Sequence, residues 1–142
     1  MSLLFYQRVK DFSSLSKLIV SASVSFTAFT GYVIAKKVFD INLLLVLLGV
    51  FLLAAGTSAI NQIIERKTDE LMPRTQNRPL PSNRMTVLQA TLFASIIIII
   101  GSIILISSAN IACLFLGLFN IIWYNAVYTP FKKLSVWAVF AG

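Results

Sequence analysis

A chain of 142 residues that is 58% hydrophobic and only 12% charged, with a mean hydropathy of +0.86, carries more apolar surface than a water-soluble domain of its size can hide, so it belongs in a lipid bilayer. Its net charge of +7 does not indicate nucleic acid, because the basic residues lie in short segments flanking apolar runs, the pattern of membrane topology signals. The absence of histidine excludes imidazole ligation of haem, histidine zinc sites and Ser-His-Asp catalysis by this chain alone.

Phe5, Tyr6, Arg8, Lys10 and Asp11 precede the first apolar run without a small-residue cleavage site after a short apolar core, so this segment is expected to be retained. Four apolar stretches follow, at about residues 18–35, 41–64, 85–107 and 111–128, each near the roughly 20 residues that a helix needs to cross a bilayer. The first is interrupted by Ser21, Ser23, Ser25, Thr27 and Thr30, whose hydroxyls can bond back to the helix backbone or across to a neighbour. The second is the richest in leucine, and its run from Ala54 to Ala59 is small enough for another helix or a ligand to approach closely. Ile96 to Ile100 in the third would suit a strand in water, but the 22 uncharged residues from Met85 to Ile106 require a membrane helix.

Cys113, in the fourth stretch, is the single cysteine, which excludes an internal disulfide and reads as a small packing residue. The first two stretches are joined by a short turn, as are the last two, whereas about 20 residues separate the second from the third. Residues 135–142 read as the opening of a fifth span, and the expectation is the first part of a longer protein or a truncated product. The expected fold class is all-α, a polytopic transmembrane helix bundle with four complete spans and the start of a fifth.

Lysine and arginine set the orientation. Arg8, Lys10 and Lys17 before the first span, Arg66, Lys67, Arg74, Arg78 and Arg84 in the long loop, and Lys132 and Lys133 after the fourth all fall on one face if there are four crossings. Only Lys36 and Lys37 fall on the other. The first face, with the N-terminus and the 65–84 loop, is expected to be cytoplasmic, in the inner membrane.

The candidate chemistry lies in residues 61–82, which gather most of the acidic groups of the chain between long uncharged stretches. Asn61, Glu65 and Asp69 recur every fourth residue, so a helix continuing through them sets three oxygen-bearing side chains along one edge. Asn61 and Glu65 follow directly on apolar helix, where a polar group is costly unless it faces a cavity or a partner. Pro73 then prevents easy continuation of the helix, and the loop is expected to turn back and bring Arg74, Thr75 and Arg78 near the acidic edge. Two carboxylates and an amide oxygen suit Mg²⁺, a hard ion that keeps several waters and often bridges to phosphates. Arginines opposite can grip diphosphate oxygens in fork geometry.

The continuous run Asn61-x-x-x-Glu65-Arg66-x-x-Asp69-x-x-Met72-x-Arg74-Thr75-x-x-Arg78-Pro79-Leu80 resembles the first aspartate-rich motif of the UbiA family of intramembrane prenyltransferases. The family pattern is Asn, three residues, Asp, three residues, Asp; here Glu65 stands in the middle, and the run is most similar to the haem-farnesylating branch. Tyr128-Thr129-Pro130-Phe131-Lys132 is similar to the Tyr, three residues, Lys arrangement at the end of the family's fourth helix, where the lysine helps bind diphosphate. Lys17 matches a weaker family motif that usually carries proline after the lysine; Leu18 departs from it, which leaves Lys17 as a lysine snorkelling to the interface.

The resemblance implies that residues 1–142 form the N-terminal part of a single bundle of about nine transmembrane helices. A second aspartate motif belongs in the other half. It further implies Mg²⁺-dependent transfer of a farnesyl group from farnesyl diphosphate to haem b, giving haem O. Asn61, Glu65 and Asp69 would be the catalytic metal or metal-water ligands, and Arg74, Arg78, Tyr128 and Lys132 the diphosphate-binding residues. An apolar cavity among the first, second and fourth spans would sheath the isoprenoid. The implied partners are the two substrates, the bilayer, and the missing C-terminal half or a partner chain supplying it. Two alternatives stand beside this reading: prenylation of an aromatic quinone precursor by the same fold, and a non-catalytic membrane subunit or inactive fragment whose charged loop binds anions.

Overall fold

The computed structural model describes residues 2–134, among which every element is helical. Helix α1 covers Ser2–Ser16, α2 Leu18–Lys36, α3 Ile41–Glu70, α4 Val87–Ser108 and α5 Ile111–Ile122. A π-helical turn, Trp123–Tyr128, joins α5 to α6, Thr129–Leu134. Four segments are long and apolar enough to cross a membrane: α2, α3, α4 and the continuous Ile111–Lys132. They match the four expected spans, and the expected start of a fifth, at 135–142, lies outside the described residues.

Each boundary has a local cause. Lys17 adopts a left-handed conformation at φ 45°, which ends α1 and redirects the chain into α2. Along α2, Ser23, Thr27 and Thr30 donate to the carbonyls four residues back, and Ser25 donates both to Ser21 O and across to Leu47 O of α3. Thus the hydroxyls of the least apolar span are satisfied within the helix or by its neighbour, as a bilayer requires. Asn110 caps α5 by accepting from the Cys113 amide, and Thr86 caps α4 in a reciprocal box with Gln89.

Asp40 caps α3 by accepting from the Leu43 amide, and it also accepts a 2.7 Å hydrogen bond from the Tyr32 hydroxyl. That hydroxyl favours the charged carboxylate and lowers the Asp40 pKa. A lowered carboxylate pKa contributes stability that is present above its ordinary value and lost as the pH falls through the lowered one. Hydrogen exchange at the Leu43 amide should therefore stay slow until strongly acidic pH. Tyr32→Phe should move the onset of fast exchange to higher pH; an unchanged onset would show that Asp40 does not hold this cap.

The closest helix pair is α3 and α4, because glycines replace side chains where they cross. A Cβ at Gly101 would sit 3.0 Å from the Gly49 carbonyl oxygen and 3.0 Å from Leu52 Cβ, and one at Gly56 only 2.4 Å from Ile98 Cγ1. Ala90, Ala94, Gly101 and Leu105 form the buried stripe of α4, while Leu92, Ile96, Ile99 and Ile103 are exposed on its other side. Small residues predominate where α4 meets α3 and large ones on its exposed side, the arrangement expected where van der Waals contact drives association. The small-residue end of α3 thus receives α4.

Helix α5 packs more loosely, and none of its side chains is fully buried. Cys113 accordingly does not pack as expected: it is exposed, because the first turn of α5 presents it outward. Helix α1 lies against α3, with Leu15 fully buried, and reaches α4 through the Phe12 and Phe93 rings, 4.8 Å apart. Buried Asp11 pairs with Arg84 Nε at 3.1 Å, tying α1 to the end of the long loop.

Candidate functional site

The polar end of α3 is built as a buried edge. Asn61, Glu65 and Asp69 all lie on the unbroken Ile41–Glu70 helix and are 0%, 7% and 5% exposed. The helix passes the expected end of its apolar stretch because nothing before Pro73 removes an amide hydrogen or forbids helical geometry. Gln62, 1% exposed, reinforces the same end by donating from Nε2 to the Ser14 and Leu15 carbonyls, which closes the C-terminus of α1.

After Glu70 the chain turns back over this edge. Thr75 and Gln76 amides both bond to the Met72 carbonyl, and the buried Thr75 hydroxyl donates to the Asp69 carbonyl at 2.9 Å. The turn carries Arg78 onto Asp69, with Nη1 2.7 Å from Oδ2. Arg74 is not brought to the acidic edge as expected. It is exposed on the turn, which directs residue 78 inward and residue 74 outward.

The far end of the chain closes the site from the other side. Lys132 Nζ is 2.6 Å from Glu65 Oε1 and 5.9 Å from the centre of the Tyr128 ring, which itself stacks on Tyr124 at 5.1 Å. Asn61 Nδ2 donates to Thr129 Oγ1 at 2.9 Å. Lys17 is not a lysine snorkelling to the interface: its Nζ reaches Asn61 Oδ1 at 3.4 Å, because the left-handed turn at this residue sends the side chain toward α3. Burial lowers the Lys17 pKa, and the nearby Arg78 and Lys132 charges lower it further while Glu65 and Asp69 oppose them. All four charges are thus felt at one ammonium.

Three cations face two carboxylates, so the cluster carries a surplus of positive charge. Each carboxylate commits one oxygen to its cation in the shortest contact. An arriving anion would find Arg78, Lys132 and Lys17 already converging. Among the described residues no group of three His, Cys, Asp or Glu side chains is close enough to hold a metal ion. The donors present are two carboxylates and one amide oxygen, an oxygen-only set that fits Mg²⁺ if water and phosphate complete its coordination.

Of the residues named from sequence, the structure gathers Asn61, Glu65, Asp69, Arg78, Tyr128 and Lys132. Sequence reasoning missed Thr129, and set Lys17 aside; the match of Lys17 to a weak motif was the available signal for it. The apolar concavity differs from the expectation as well. A groove of about 580 Å³ lies between α2 and α3, lined by residues such as Ser25, Phe26, Phe29, Leu47 and Phe51, and α5 contributes no lining residue to it.

Residues 24–142 match the model of the UbiA prenyltransferase family. Among curated proteins, the chain is 39% identical over 130 residues to a protoheme IX farnesyltransferase of Cytophaga hutchinsonii, covering 90% of this chain and 46% of that protein. It is 36% identical over 135 residues to one of Christiangramia forsetii, covering 94% and 45%, and 33% identical over 134 residues to one of Nitratidesulfovibrio vulgaris, covering 94% and 47%. The chain thus spans just under half the length of these relatives. No solved structure matches it at a significant level.

Proposed function

The chain belongs to the UbiA prenyltransferase family, and on that premise we propose that its buried acids and converging cations form the diphosphate-binding half of a site that transfers a farnesyl group from farnesyl diphosphate to haem b. The observation that carries this reading is the meeting of Glu65 with Lys132 and Asp69 with Arg78 at one end of the bundle, from three separate parts of the chain. The relatives' shared name, protoheme IX farnesyltransferase, supports the choice of substrates over a quinone precursor.

Asn61, Glu65 and Asp69 would hold Mg²⁺, the cofactor implied by the family, which when bound neutralises charge on a diphosphate. Arg78 and Lys132 act on the diphosphate directly. In the resting pairs each cation is neutralised by a carboxylate; with substrate bound, each turns to a phosphate oxygen and stabilises the charge that grows there as the bond to the farnesyl carbon breaks. Lys17, with a weakened hold on its proton, adds a third donor beside Asn61. Tyr128 supports the Lys132 side chain through its ring. The surrounding helices exclude water from the carbocation-like centre. The acceptor pocket and a second acidic segment come from residues outside the 142 described by this sequence or from a partner chain. The reading sets the site on the cytoplasmic face of the inner membrane, following the lysine and arginine bias.

The test is conversion of haem b and farnesyl diphosphate to a farnesylated haem by membranes containing the complete gene product, followed by mass. No conversion would refute the reading. Within an active preparation, Arg78→Ala should lower kcat/KM by about a hundredfold, as expected for removing a charge-stabilising donor. Arg74→Ala should cost much less, because Arg74 is exposed and outside the cluster.

A further inference from the structure

Asn61 is wholly buried, and its amide could adopt either of two orientations related by a flip. Its neighbours permit only one. Lys17 Nζ, which can only donate, lies 3.4 Å from Oδ1. On the other side, Nδ2 is 2.9 Å from Thr129 Oγ1, and that hydroxyl gives its single proton to the Tyr124 carbonyl at 2.8 Å. With the proton committed, Oγ1 faces Asn61 as an acceptor, and only the NH₂ end of the amide can meet it. The reverse orientation would set NH₂ against an ammonium and oxygen against oxygen. Thr129 is itself 0% exposed.

The π-helical turn creates this arrangement. The Thr129 backbone amide also bonds to the Tyr124 carbonyl, five residues back, where an α-helix would use the fourth. Pro130 follows, and it has no amide hydrogen with which to continue an α-helical ladder through this turn. One extra residue in a turn rotates everything beyond it by about 100°. That rotation sets Thr129 against Asn61 and, one turn further, Lys132 against Glu65.

We propose that Thr129 is a positioning residue that locks the Asn61 amide with its oxygen toward Lys17 and the anion site, so that Asn61 would offer an oxygen and not an NH₂ to the Mg²⁺ that accompanies a diphosphate. This rests on the diphosphate-site reading above. A partner that orients a ligating group commonly changes ligand affinity by about ten- to a hundredfold when removed.

The measurement is binding of inorganic diphosphate in the presence of Mg²⁺ to the complete gene product in nanodiscs, by calorimetry, with thermal unfolding recorded for each variant. Thr129→Val keeps the shape and removes the hydroxyl; its affinity should fall about tenfold or more. Thr129→Ser restores the hydroxyl and should bind close to the parent. A role in packing alone would not be rescued by serine, since serine lacks the methyl. The proposal is overturned if Thr129→Val binds like the parent, or if Thr129→Ser is as impaired as Thr129→Val. Should Thr129→Val not fold, Thr129→Ala carries the same comparison. Asn61→Ala separates the two levels: loss of binding there with a normal Thr129→Val removes only the role of Thr129. Normal binding by both Asn61→Ala and Asp69→Asn removes the site itself, and this proposal with it.

Discussion

On the proposed diphosphate-site reading, Asp69→Asn should reduce Mg²⁺-dependent farnesyl transfer by the complete gene product about a hundred- to a thousandfold in kcat/KM. The substitution keeps the size of the side chain and removes one negative charge and one hard oxygen from a position only 5% exposed. Two consequences compound. The oxygen set suited to Mg²⁺ loses a carboxylate, leaving Glu65 and an amide, and Arg78 loses the counter-ion that holds it 2.7 Å away in the resting site. The loop itself should stay in place, because Thr75 is bonded to the Asp69 backbone carbonyl and not to its carboxylate. A folded Asp69→Asn variant with undiminished transfer would remove Asp69 from the site and favour an anion-binding, non-catalytic loop.

The second large effect concerns the bundle and not the chemistry. Gly101→Leu should prevent normal packing of α3 on α4. A Cβ at Gly101 meets backbone, the Gly49 oxygen at 3.0 Å and the Leu53 nitrogen at 3.3 Å, so two helices must separate to make room. Overpacking of a tight contact costs about 1–3 kcal/mol and more where backbone must move, so Gly101→Leu should fall at or above the top of that range. Gly56→Ala should also be destabilising, by about 1–3 kcal/mol, since its Cβ would come within 2.4 Å of Ile98 Cγ1, the inner branch of a side chain that its helix holds in one rotamer, and 3.4 Å from the Ala94 carbonyl oxygen. Gly31 supplies the control. Nothing lies within 4 Å of a Cβ there, so Gly31→Ala should be neutral or, through helix propensity, stabilising by up to about 1 kcal/mol. Equilibrium unfolding in mixed micelles would rank the three. A Gly101→Leu variant as stable as the parent would mean that the α3–α4 contact is not what holds the bundle together.

Hydropathy and length were enough for the four crossings, because a bilayer demands about twenty apolar residues whatever their order. The edge formed by Asn61, Glu65 and Asp69 was equally legible, since a four-residue spacing is a local property of any helix that continues through it. Helix α1 was not read. Phe5, Val9 and Phe12 share one stripe, but Arg8 sits beside it and the segment is too short and too charged for a span. Only its end at Phe12 and Leu15 meets the core, while Phe5 and Val9 stay exposed. Cys113 was misread for a related reason: an apolar run in a membrane protein does not say which side of the helix faces lipid.

The pairing of cations with acids depended on three rotations that no local pattern announces. The left-handed turn at Lys17 swings its ammonium onto Asn61; the turn after Glu70 selects Arg78 and rejects Arg74; the π-helical turn brings Thr129 and Lys132 to face α3. By itself the sequence determined the solvent, the number of crossings and the acidic edge, all of which follow from composition and from spacing within one helix. Only the tertiary structure decided which cation meets which acid and which way Asn61 faces, because those depend on the relative rotation of segments up to 68 positions apart in the chain, set by the packing and backbone turns that join them.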